Sequence, residues 1–297
     1  MDEIKKFYNK DLLSYKDFLK KEKINYKKLT NYFSEIDHIE DQRFDPNNYY
    51  LSRKKDYGFV KINMETSHGK YIFYVSTYQT TNSQFNSFLK NSNYKCDYQF
   101  PEHEHNHPVA WISWYDAIAY AKWINKILKS EISTPVKGKE INNFEELLAD
   151  SNYQICLLSE KEWVYASTLG KNIIYPWGNK VATNFCNFKT SKINKTCPVG
   201  CYLDGISESG LFDLSGNTWE WLRTKWGPSF EKRKYKNTIQ FEDDRDNINT
   251  ESNFLRAMKG GSFLVENKRL KIKYEDAVPP ESTDDGDGFR VGLVKIT

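Results

Sequence analysis

The sequence predicts an α+β domain with much irregular structure, preceded by a helical N-terminal segment. Three observations point there. A side-chain cap followed by an apolar stripe occurs at Thr81 with Gln84, Ser113 with Asp116 and Ser159 with Glu162, and each pair satisfies N–H groups that open a helix. Short β-rich runs stand between these helices rather than in one block. Beyond Leu169-Gly170, Gly, Pro, Asn and Asp recur at short intervals and regular periodicity vanishes, so this part folds as loops pinned by buried aromatics.

In chain order, residues 1–56 come first. Ile4, Phe7, Tyr8, Leu12, Tyr15, Phe18 and Leu19 recur at helical spacing, and Tyr26, Leu29, Tyr32 and Phe33 repeat the pattern. Two amphipathic helices are expected, then a polar tether ending near Arg53-Lys54-Lys55. Their apolar faces either complete the core of the following domain or dock a protein partner. From Tyr57 the main domain, 57–297, begins. Tyr71–Val75 reads as a strand. The three capped helices bury Phe85, Phe88 and Leu89; Ala117, Ala121, Ile124 and Leu128; and Trp163 with Ala166. In the loop-rich remainder Trp177, Trp219, Trp221 and Trp226 are the anchors, and Gly227–Asn253, with charges in blocks, reads as a surface insertion. Short strands are expected near Leu255–Met258, Leu270–Tyr274 and Phe289–Val294.

At 297 residues, with 39% hydrophobic and 15% aromatic residues, the chain can bury a substantial core and is not compositionally disordered. A formal charge of +3 gives no reason to expect nucleic acid as partner. Five cysteines leave at least one unpaired and match no zinc-knuckle spacing. Met1-Asp2-Glu3 opens without an apolar signal region, and no run reaches membrane-spanning length. A cytoplasmic protein with reduced thiols and no membrane association is expected.

Two stretches carry candidate chemistry. In Gly210–Trp221, Gly216 allows the chain to double back, Trp219 and Trp221 share a face of an extended segment, and Glu220 points the other way. Asp213 and Glu220 then approach across a tight loop with backbone carbonyls nearby, which is either a hard-cation cage of the kind calcium prefers or a solvated loop held by its tryptophans. In Glu102-His103-Glu104-His105-Asn106-His107, alternating histidines in a strand would share one face and bind zinc or nickel; in a surface loop they would not. The acidic run Glu281–Gly288 lacks a complete EF-hand spacing and reads as an exposed turn.

Gly210–Trp221 also resembles the signature of the formylglycine-generating enzyme family, or sulfatase-modifying-factor domain. Other pieces fall in the family's order: Pro108–Trp114 with Asp116-Ala117, Leu157–Trp163, Tyr175–Asn179, Pro198–Gly200, Gly260-Gly261-Ser262 and Gly288-Phe289-Arg290. The resemblance runs from about Tyr57 to the C-terminus. It implies a C-type-lectin-like fold and a structural calcium ion held by Asp213, the carbonyls of Gly216 and Thr218, and Glu220.

The resemblance also implies what is missing. Active members bind copper through two cysteines after Gly-Gly-Ser and oxidise a sulfatase cysteine to formylglycine. Here those positions are Val265 and Asn267, and no cysteine follows Cys201. A thiolate pair suits Cu(I), and neither replacement does. Glu275 stands where the family places an arginine, Lys259 and Lys271 replace two more, and Gln79-Thr80 replaces the usual Glu-Val before the first cap. Copper is therefore not expected. Two functions remain: a non-catalytic module binding a protein or small molecule through its loop-rich face, or an oxygen- and metal-dependent oxidoreductase with altered ligands.

Overall fold

The computed structural model describes residues 41, 43–67, 69–102, 104–132, 143–234, 244–249 and 253–296. The helices expected within residues 1–40 lie outside these. The end of the N-terminal segment is not the expected tether: strands β1 (Phe44–Asp45) and β2 (Leu51–Ser52) form an antiparallel ribbon. Phe44 and Leu51 are buried, and Arg43 donates to the carbonyl of Val199 at 2.7 Å. Apolar residues spaced along the segment buried the ribbon where a count of its charges suggested solvent.

Two four-stranded sheets follow. The first has the antiparallel order β3 (Phe59–Thr66), β4 (Gly69–Ser76), β10 (Val291–Lys295), β5 (Tyr153–Leu157). The last strand thus inserts between early ones and closes the domain. The second has the order β8 (Asp276–Val278), β7 (Arg256–Lys259), β6 (Trp219–Lys225), β9 (Asp287–Gly288), with β6 and β9 parallel.

All three predicted caps form as reciprocal boxes. Thr81 opens α1 (Asn82–Lys90), Ser113 opens α2 (Trp114–Ser130) and Ser159 opens α4 (Glu160–Thr168). A fourth box at Asn143 opens the short α3 (Phe144–Ala149). The stripes behind the caps join one apolar core with the inner faces of both sheets, including Phe85, Tyr120, Ile124, Trp163, Trp221 and Phe289.

The segment Leu270–Tyr274 is not the expected strand. Residues Asn267–Leu270 make a 3-10 turn, and the carbonyls of Ile272 and Tyr274 accept from the Lys259 ammonium at 3.3 and 3.0 Å. Among the described residues no helix is long and apolar enough to cross a membrane.

Candidate functional site

Loops from distant parts of the chain hang on the Asp213–Glu220 stretch. Gly216 donates to the carbonyl of Gly260 at 2.9 Å, Asn217 to that of Asn187 at 2.8 Å and Trp219 to that of Gly286 at 2.7 Å. The Asn217 side chain pairs with both main-chain groups of Cys197, each at 3.0 Å. Gly216 has φ +83, and a Cβ there would overlap the Asn187 carbonyl. Only glycine fits this turn without strain.

Glu220 sits at the centre, 0% exposed. Arg290 grips it with two parallel bonds of 2.7 Å, Nε to Oε2 and Nη2 to Oε1. Trp163 Nε1 donates to Oε2 at 2.8 Å and Gln79 Nε2 to Oε1 at 3.2 Å. These bonds use all the lone-pair sites of a carboxylate. Arg290 in turn reaches the carbonyls of Phe212 at 2.7 Å, Ser76 at 3.2 Å and Thr77 at 3.4 Å. A buried pair of this kind persists because every donor and acceptor is matched.

Of the residues implied for calcium, the carbonyls of Asp213 and Thr218 and the Glu220 carboxylate come together around the Gln79 side chain. Gln79 Nε2 donates to the carbonyls of Asp213 at 3.2 Å and Thr218 at 2.9 Å besides Glu220. The Asp213 carboxylate is turned to the backbone N–H of Gly200 at 2.7 Å, and burial pushes its pKa up to about 6. Gln79 Oε1 has no hydrogen-bond partner, which follows from aiming the amide's donor end at three acceptors. The sequence signal was present, in the Gln-Thr pair that replaces Glu-Val. Its spatial meaning was not legible, because Gln79 and Glu220 meet only in the fold.

At the copper positions, Val265 is half-buried and packs against the core, while Asn267 is exposed at the start of the 3-10 turn. All five cysteines lie elsewhere as free thiols, and burial raises the pKa of Cys96, Cys156, Cys186 and Cys201.

Glu275, the charge reversal, meets Arg233 at 2.5 Å, and Arg233 also bonds Glu160 at 2.8 Å. Lys259 joins Glu160 at 3.1 Å. The reversal is thus matched by a guanidinium from the Gly227–Asn253 insertion.

The described histidines, His105 and His107, do not share a strand face. The described residues of 102–107 lie in turns, not a strand. His105 packs edge-on to Phe100 at 4.9 Å, while His107 is buried and its Nδ1 lies 2.9 Å from Thr196 Oγ1. Among the described residues no group of three His, Cys, Asp or Glu side chains is placed to hold a metal ion.

Comparisons with known proteins identify the family. The profile of the sulfatase-modifying factor enzyme 1-like domain matches residues 62–294. The formylglycine-generating enzyme of Mus musculus is 25% identical over 205 residues, covering 64% of this chain and 44% of that one. The inactive C-alpha-formylglycine-generating enzyme 2 of Bos taurus is 26% identical over 198 residues, covering 62% and 49%. The chain thus matches about half the length of these curated relatives. Among solved structures, Treponema denticola variable protein 1 superposes with a TM-score of 0.55 at 19% identity, covering 80% of this chain and 94% of that one. That likeness concerns the fold. Together with the ordered motifs, the profile match establishes that this chain belongs to the sulfatase-modifying factor enzyme 1-like family, that of the formylglycine-generating enzymes.

Proposed function

We propose that this chain is a non-catalytic member of the family that binds a protein or small molecule through its loop-rich face. The observation that carries this reading is the pair Val265 and Asn267 at the two copper positions, an apolar side chain and an amide with no affinity for Cu(I). The oxidation needs both thiolates, and the described cysteines lie on other segments. The relative named as inactive is consistent with loss of the chemistry within the family. A fold of this kind keeps its loops when its reaction is gone, and those loops remain available for recognition.

The test is incubation with a sulfatase-type Cys-x-Pro-x-Arg peptide, Cu(I), reductant and oxygen, followed by mass spectrometry. The peptide is expected to stay unchanged. Conversion above a heat-inactivated control would return the chain to the oxidases and require a different metal site.

A further inference from the structure

Strand β3 is a long, unbroken sheet edge. It is the outermost strand of the first sheet, and among the described residues no strand pairs with its outer side. Its register with β4 runs without a bulge from Phe59↔Ser76 to Thr66↔Gly69, and it holds neither Pro nor Gly. Natural sheets blunt their edges with prolines, bulges or short strands, because the peptide groups of a long flat edge are a template for another strand.

The ladder fixes which groups face out. The carbonyl of Gly58 accepts from the Thr77 N–H at 3.1 Å, on the β4 side. Peptide groups alternate along a strand, so those of Val60, Ile62, Met64 and Thr66 also turn to β4, while those of Lys61, Asn63 and Glu65 turn outward. The Tyr165 hydroxyl donates to the Asn63 carbonyl at 3.1 Å, which agrees with that outward direction and leaves the carbonyl a second lone pair. Lys61, Asn63 and Glu65 also carry exposed side chains, whereas Ile62 and Met64 between them are buried in the domain's own core.

The exposed charges choose the occupant. Let an antiparallel β3 from a second copy pair about a two-fold axis at Asn63. The two Asn63 residues then exchange both backbone bonds. Lys61 falls opposite Glu65 of the second copy, and Glu65 opposite its Lys61. Opposite charges placed directly across strands stabilise a sheet and like charges destabilise it. An axis at Lys61 or Glu65 would set like charges together, and one at Ile62 or Met64 would pair no opposite charges. The pattern Lys-x-Asn-x-Glu is therefore self-complementary in one register, as a contact between identical surfaces requires. We propose that two copies of this chain join through the outer edge of β3, antiparallel about Asn63, into one continuous sheet. The assembly lies outside the binding-module reading and does not depend on it.

The test is analytical ultracentrifugation of the full chain over a concentration series. A reversible dimer is expected. Lys61→Glu and Glu65→Lys are each expected to weaken it at least fivefold, because either change sets like charges opposite one another at both ends of the contact. Mixed in equal amounts, these two variants regain complementary charges, and their heterodimer is expected to form at least fivefold more tightly than the dimer of either alone. Asn63→Pro removes an outward N–H without touching the ladder to β4, and is expected to abolish the dimer while keeping a cooperative melt. Should that variant fail to fold, the charge variants decide. A monomer at every concentration would overturn the proposal, as would a dimer that the charge variants leave unchanged or a mixture no tighter than its components.

Discussion

Arg290 and Glu220 form a two-point ion pair with both bonds at 2.7 Å in the buried centre of the domain. The pair joins β6 to the residue just ahead of β10, the strand that closes the first sheet. Removing one member leaves the other charged and buried, which costs about 3–5 kcal/mol. Arg290→Ala and Glu220→Ala are each expected to lose about that much in urea unfolding. Their double variant should lose less than the sum, because the second deletion removes the stranded charge.

Gln79 is where a single carboxylate would restore a cation site. Gln79→Glu would put an acceptor against the carbonyls of Asp213 and Thr218 and against Glu220. The variant is expected to melt lower than wild type in chelator and to regain stability as calcium is added, since a ligand bound only by the folded state stabilises it. Wild type should show the same melt with chelator or calcium.

Asp287 makes stability depend on pH. Burial, then the charges of Asp284, Asp276 and Asp285, pushes Asp287 up to about 7, against about 3.9 for an unfolded aspartate. Between those values the folded chain keeps a proton that the unfolded chain releases, so stability falls as pH rises across that window. Asp213, raised by burial to about 6, adds to the same slope. Asp287→Asn is expected to flatten the fall in melting temperature between pH 4 and pH 7, and an unchanged slope would remove Asp287 as its cause.

Arg233 ties the charged insertion to the domain through Glu275 and Glu160. Arg233→Gln is expected to speed tryptic cleavage within 227–253 while leaving the rest of the chain resistant. Equal cleavage rates would mean that the insertion is held by other contacts.

Much of the fold was legible because its signals are local. A cap and a stripe lie within one helix, so Thr81, Ser113 and Ser159 could be read without knowing their neighbours. The ordered motifs fixed the family and the departures at Val265 and Asn267. The site was less legible, because its contacts join residues far apart in sequence: Gln79 with Thr218 and Glu275 with Arg233. Sequence alone does not show that Glu220 is buried beside Arg290 and bound by its guanidinium. The ribbon at Phe44 and Leu51 was missed because two apolar residues in a charged stretch carry little periodic signal. The strand expected near Leu270–Tyr274 was lost to a turn, since side-chain pattern alone does not show which carbonyls Lys259 will claim.

We propose that this chain keeps the family's fold while holding no metal at the positions for which the family resemblance implies one. Elemental analysis of protein purified without a histidine tag, after exchange into metal-free buffer, tests this most directly. The account predicts calcium, copper and iron each well below one equivalent in a sample with a native melting transition. One equivalent of calcium would contradict the role given to Gln79, and one equivalent of copper or iron would contradict the assignment as a non-catalytic binder.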